Sequence, residues 1–347
     1  MNRKDHHIAL AAQQYQSTTP IDLAETRFVH HSLPQLALED VSLETSLASL
    51  TLSVPFFINA MTGGSEKTGI INQQLAILAR ETNLAMATGS VSAALSDARV
   101  SETFQVVRKE YPQGTIIANL GAGHTVEAAK RAVDLLDADA LQLHLNAPQE
   151  LVMPEGDRDF SRWLENIAAI ASQITVPLIV KEVGFGMSRQ TAELLYQAGV
   201  RILDISGRGG TNFATIEMAR RPDTALTSLK EWGQTTAESL LEVREFARDK
   251  GVTVMASGGI HTGLAIVKCL GLGAHAVGLS NHILQILQHQ SLDDAIAEVN
   301  RIQEEVRVVM ALLGTRSTRE LEDVEMVLAP SLVHWCQQRG IERRKRS

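Results

Sequence analysis

Lys181 closes an apolar run, Leu178-Ile179-Val180-Lys181-Glu182, where burial without an anionic partner would cost heavily. Glu182 is next to it, but neighbours along a strand point to opposite faces, so Lys181 reads as a site residue. Upstream, Gln142-Leu143-His144-Leu145-Asn146 alternates polar and apolar, which puts His144 and Asn146 on one face. Gln149 and Glu150 follow at once. Glu150 is either a solvated loop carboxylate or a hard oxygen donor for Mg²⁺ beside a phosphate group, and spacing leaves both open. Ser257-Gly258-Gly259 and Gly278-Leu279-Ser280 each join a predicted strand to a predicted helix. Glycines let a ligand approach the backbone, and helix N-termini favour an anion, so phosphate is the preferred reading over two empty turns. Thr62, Ser90, Asn119, Ser206 and Thr211 add polar strand ends, each of which could equally be a cap. Arg3-Lys4 with His6-His7 reads, on composition, as a loose basic terminus. Cys269 falls in a helix pattern and Cys336 near the C-terminus, so neither reads as a nucleophile.

Something must bring these residues together. Short apolar runs predict strands at Pro55–Ala60, Ala85–Gly89, Thr115–Leu120, Ala140–Leu145, Pro177–Val183, Arg201–Ile205, Val252–Ser257 and Ala274–Leu279. Helical patterns fall between them, at Ile70–Thr82, Thr125–Leu136, Arg189–Ala198, Ala237–Lys250 and Gly263–Gly271. Eight buried strands alternating with helices predict an α/β fold, a TIM (β/α)₈ barrel. A doubly wound sheet would want a glycine fingerprint after its first strand, and Asn59-Ala60-Met61-Thr62-Gly63-Gly64 is not one. The chain is expected to be one domain, with the barrel over about 55–291. Residues 1–54 form an N-terminal cover with a helix at Ile8–Gln16, and 292–347 a helical extension opening at Asp293. The basic tail Arg343–Arg346 reads as a solvated end. Long connections at Asn146–Phe160 and Gly207–Gly233 leave the carboxyl ends of strands four and six, where barrel enzymes keep their sites.

Of the 347 residues, 44% are hydrophobic and 21% charged, an ordinary globular balance. A net charge of −8 argues against nucleic acid as a partner, so any anion must be held by local groups. No apolar run approaches the roughly 20 residues that span a bilayer, and no signal peptide opens the chain. Two distant cysteines suggest no disulfide framework. A cytoplasmic protein is expected.

Taken in order, RKDHHI (3–8), NAMTGG (59–64), ANLG (118–121), LQLHLN (141–146), QE (149–150), MPEGDRDF (153–160), KEVGFGMS (181–188), GGTNF (209–213) and ASGGI (256–260) resemble the type 2 isopentenyl-diphosphate isomerases. Each fragment is weak alone, but together they run nearly the whole chain. The resemblance implies a TIM barrel with FMN, a Mg²⁺ ion, NADPH as flavin reductant, and a homo-oligomer, usually a tetramer or octamer. It implies that Ala60, Met61, Thr62, Ser90, Asn119, Ser206 and Thr211 line the flavin, with Lys181 near its ring. Gly258, Gly259, Gly278 and Leu279 would hold the FMN phosphate. Arg3, Lys4 and His7 would bind the substrate diphosphate, giving the terminus a role that composition denies it. His144, Asn146 and Gln149 would face the substrate, and Glu150 would hold Mg²⁺.

One position departs from the family. Many members carry Gly-Ser-Gln-Arg after the second strand, where this chain has Gly89-Ser90-Val91-Ser92, and Arg99 is a candidate replacement. The rival function is that of an FMN barrel oxidoreductase. A hydroxy-acid oxidase would want a histidine base with arginines for a carboxylate near the sixth or seventh strand, but the sixth runs into Ser206-Gly207-Arg208-Gly209-Gly210, with no histidine; a nucleotide dehydrogenase would want a loop cysteine, which is absent.

Overall fold

Each of the eight apolar runs becomes a strand: β1 (Phe56–Ile58), β2 (Met86–Ala87), β3 (Ile116–Gly121), β4 (Ala140–Leu145), β5 (Leu178–Glu182), β6 (Ile202–Asp204), β7 (Thr253–Ser257) and β8 (Ala276–Leu279). This computed structural model describes residues 3–220 and 226–342, the side chains of Arg3 and Lys4 excepted. The tail at 343–346 lies outside the described residues. All eight strands pair in parallel and in chain order, and Val277 opposite Phe56 closes the ring.

The two-residue alternation of strands divides the barrel into an inside and an outside. Phe57, Ile117, Ile179, Ile202, Met255 and Ala276 form the inner apolar layer. A hairpin, Thr45–Leu47 with Leu50–Leu52, plugs that layer from below through Leu47 and Leu52. Intervening residues such as Ile58, Leu141, Val180 and Leu203 face outward into the larger core under the helices. Continuing the alternation, by two residues or by four on β4, brings Asn59, His144, Lys181, Asp204, Ser257 and Gly278 inward at the carboxyl end. That end carries the site.

The helices start where capping residues allow. Ser65, Thr125, Ser188, Thr235 and Thr262 each accept an N–H from the first turn that follows. The N-terminal cover contains a helix at Arg3–Gln13, earlier than the expected Ile8–Gln16, because the basic residues at 3–7 are part of it. Both long connections hold short helices, Ala147–Val152 and Phe213–Ala219. A helix at Asn281–His289 follows β8, and Leu292–Leu312 matches the expected extension. No helix among the described residues is long and apolar enough to cross a membrane.

Candidate active site

A cavity of about 1240 Å³ opens at the carboxyl ends of the strands, walled by the loops after β1 to β8 and by the N-terminal helix. That exceeds the usual volume of a pocket for one small ligand, so it can take a cofactor and a substrate together. Among the described candidates, Ala60, Met61, Thr62, Ser90, Asn119 and His144 line it. So do Asn146, Gln149, Glu150, Lys181, Ser206, Thr211, Gly258, Gly259, Gly278 and His7. Arg3 and Lys4 begin the N-terminal helix, but their side chains lie outside the described residues.

Leu279 departs from the expectation. Because Gly278 faces inward, Leu279 must face outward, and it packs in the outer core at 1% exposure. Only its backbone could reach a phosphate. Arg99 also departs: its side chain is 89% exposed, paired with Asp97 at 2.7 Å, and absent from the cavity wall. The position after β2 is filled instead by Ser92, 2.8 Å from Ser90 Oγ and 3.0 Å from His124 Nε2. The helix Gly263–Gly271 starts against a carboxylate. Its first N–H groups, of Gly263 and Leu264, donate to the Glu305 carboxylate at 2.8 and 3.1 Å. That helix N-terminus is therefore already capped by an anion. The first turn of Asn281–His289 has no side-chain cap and remains suited to one.

Two short helices place the substrate side. Val152 packs with Phe185, Ala214 and Met218, and this small apolar cluster brings helix Ala147–Val152 against helix Phe213–Ala219. Gln149 Nε2 then donates to Glu217 Oε1 at 3.0 Å, and His7 Nε2 lies 3.0 Å from the same oxygen. Arg220 pairs with the other oxygen. Burial opposes ionisation of Glu217, but the proximity of His7 and the bonds from Gln149 and Arg220 overcome it and hold the carboxyl at about 2. Glu217 is a fixed negative charge. Asn146 Nδ2 donates to Gln149 Oε1 at 3.3 Å and to Glu150 Oε1 at 2.8 Å, so it orients both neighbours. Asp157 N donates to Glu150 Oε2 at 2.9 Å.

The floor is built on strand ends. His144 Nδ1 lies 3.0 Å from Asn119 Oδ1, which fixes the ring plane when Nδ1 carries the proton. Lys181 points inward at 7% exposure, and its Nζ donates to Glu182 O at 2.5 Å. Burial pushes its ammonium below the usual lysine range, opposed by the charges of Asp204 and Glu182. The Glu182 carboxylate faces away, accepting N–H groups from Val183, Gly184 and Phe185 at 2.6 to 3.0 Å. The counter-charge on the inner side is Asp204, opposite Lys181 in the β5–β6 register and fully buried. It accepts from Asn59 Nδ2 and Ser257 Oγ, each at 2.8 Å. Neither Glu217 nor Asp204 was visible as a site residue in the sequence, since a lone acidic residue in a helix or at a strand end carries no spacing signal.

The same walls fit FMN. Gly258 and Gly259 hold φ of +106° and +73°, and a Cβ on either would stand 2.0 and 2.5 Å from the carbonyls of Gly207 and Gly209. Only glycine permits that layering of backbone, and both glycines line the cavity. Ser206, beside them, takes a φ of +26°, rare for a residue with a side chain. Thr62 Oγ1 is buried in the wall without a protein partner, a group that a bound heterocycle would satisfy. No cluster of three or more metal-ligating side chains occurs among the described residues, so Mg²⁺ would need most of its oxygens from the substrate.

The chain is 46% identical over 340 residues to the isopentenyl-diphosphate delta-isomerase of Staphylococcus saprophyticus, covering 98% of this chain and 97% of the relative. The chain belongs to the isopentenyl-diphosphate delta-isomerase family. The enzymes of that name from Staphylococcus epidermidis and Staphylococcus aureus are each 45% identical over 98% of this chain and 96% of theirs. Residues 155–327 match the model of the FMN-dependent dehydrogenases. Among solved structures, a mandelate oxidase variant aligns at TM-score 0.65 and 18% identity, over 93% of this chain and 92% of its own. A flavocytochrome b2 variant aligns at TM-score 0.69 and 17% identity, over 94% and 84%. These two share the isomerase family's barrel and, at that identity, nothing more specific.

Proposed function

We propose that this isomerase-family chain interconverts isopentenyl and dimethylallyl diphosphate in isoprenoid biosynthesis, with FMN as its cofactor. The near full-length likeness to the staphylococcal isomerases carries this reading over that of an oxidoreductase. The reaction adds a proton to one carbon of an alkene and removes one two carbons away, and ordinary side chains are poor agents for both. Reduced FMN supplies that acid–base chemistry when bound. The protein's part is positioning. Gln149, held by Glu217, presents a fixed amide to the alkene, and His144, steadied by Asn119, bounds it on the other side. Lys181 would hold a positive charge for the bound flavin, and the glycine loops at 258–259 and 278, which line the same cavity, would hold its phosphate. Burial of the five-carbon chain under the N-terminal helix keeps water from the cationic carbons.

Glu150 holds one Mg²⁺ with the substrate diphosphate, and Arg3, Lys4 and His7 bind that diphosphate. NADPH reduces the flavin without being consumed in each turnover, because isomerisation is redox-neutral. The enzyme acts in the cytoplasm as a tetramer or octamer. The deciding experiment supplies isopentenyl diphosphate, Mg²⁺ and FMN reduced by dithionite in the absence of oxygen. Dimethylallyl diphosphate should form with no NADPH present. A protein that ignores FMN in a titration, or that consumes one NADPH per product, would overturn the proposal.

A further inference from the structure

Between the N-terminal helix and the barrel, the segment from Tyr15 to Asp22 crosses the mouth where the loops after β6, β7 and β8 meet. Pro20 lies against two of those loops: a Cβ on Gly209 or Gly259 would stand 2.3 or 2.7 Å from Pro20 Cγ. Both ends of the segment are fastened. Tyr15 Oη lies 2.8 Å from His282 Nδ1 and 3.5 Å from His261 Nδ1, and its ring meets His261 edge-on. Asp22, 4% exposed, accepts the hydroxyl of Thr235. Next to it, Thr236 Oγ1 donates to Gly258 O at 2.7 Å. Asn281 Nδ2 donates to Ala11 O at 2.8 Å, which ties the end of the N-terminal helix to the same corner.

We infer that Tyr15 is a positioning residue: with Pro20 it makes the N-terminal segment the outer wall of the phosphate end of the cavity, and it couples cofactor binding to the placement of His7. This rests on the FMN reading. His282 sits in the first turn of helix Asn281–His289, the helix start that no side chain caps. An anion bound there orders the turn that Tyr15 and Asn281 grip. The N-terminal helix is one rod, with Ala11 at Asn281 and His7 at Glu217, so fixing one end restricts the other. Coupling of two binding events is reciprocal, so a substrate held by His7 should in turn retain the cofactor. A flavin phosphate held by the loops that Pro20 covers would leave only when the segment lifts.

The test compares FMN with riboflavin, which lacks the phosphate, on the full-length protein and on Tyr15→Phe. Amide hydrogen exchange of Arg3–Gln13 and the rate of flavin release, followed by fluorescence, are the readouts. FMN should slow exchange in the parent, and riboflavin should not. Tyr15→Phe should abolish that slowing and release FMN at least about fivefold faster, the effect of losing roughly one hydrogen bond. His282→Gln should behave alike. Equal release rates in parent and Tyr15→Phe, or equal protection by riboflavin, would overturn the inference while leaving FMN binding intact. A parent protein that binds neither flavin removes the cofactor reading and this inference with it.

Discussion

Gln149 and Glu217, 68 residues apart in the chain, meet at the barrel mouth with Gln149 Nε2 donating to Glu217 Oε1 at 3.0 Å. The carboxylate fixes which way the amide points: nitrogen toward Glu217, oxygen toward Asn146. Glu217→Gln keeps the size but offers its own amide to Gln149, His7 and Arg220, so the pointing is no longer enforced. A lost charge-assisted bond is worth roughly 1.5–3 kcal/mol, so kcat should fall at least about tenfold. FMN affinity should change far less than kcat, since Glu217 reaches the cofactor end only through His7 and the N-terminal helix. Steady-state kinetics beside a flavin titration separates the two, and an unaltered kcat would remove Glu217 from the positioning of Gln149.

Glu150→Gln should raise the Mg²⁺ concentration needed for half-maximal activity and leave flavin bound. The bonds from Asn146 and Asp157 already orient the carboxylate, so the amide can sit in the same place, but it lacks the charge a hard cation prefers. Titrating Mg²⁺ against initial rate in parent and variant reads this directly. Coincident curves would make Glu150 a loop residue that braces Asn146.

His261 gives the fold a pH signature. Burial, and then the neighbouring His282, hold it at about 4, against 6.5 for an ordinary histidine. Between those values the unfolded chain binds a proton that the folded protein refuses. Stability is therefore unaffected above pH 6.5 and falls as pH drops from 6.5 toward 4. His261→Phe should flatten the decline of melting temperature across that window, leaving the residual slope of His282, which burial also lowers. An unchanged slope would show that another group governs it.

The strands were legible because each is a short apolar run ending in a small or polar residue, and β4 falls on its expected bounds. Helix Gly263–Gly271 was legible for its full apolar period. Helix Ala147–Val152 was not: six residues with a proline in the first turn give no periodicity, only the impression of a loop. Lys181 stood out because charge at the end of an apolar run breaks a pattern, whereas Glu217 breaks none. For Leu279 the motif names a backbone position, and the alternation of β8 turns its side chain away into the outer core. Contacts such as Tyr15 with His282, 267 residues apart, belong to the closed barrel and cannot be read from neighbours in the chain.

The N-terminus is where composition and family resemblance disagree most. Composition makes Arg3-Lys4 a loose basic end whose removal costs little. The structure places both positions in helix Arg3–Gln13, four and three residues before His7. His7 is at the cavity, against Glu217. An acidic protein can draw a diphosphate only through local cations, and these are the cations nearest in sequence to His7. Arg3→Ala with Lys4→Ala should therefore raise KM for isopentenyl diphosphate at least about tenfold, the loss of about one charge-assisted contact. FMN content and melting temperature should barely move, because the barrel core does not include this helix start. An unchanged KM would show that the terminus is dispensable, and that the diphosphate is held by other groups.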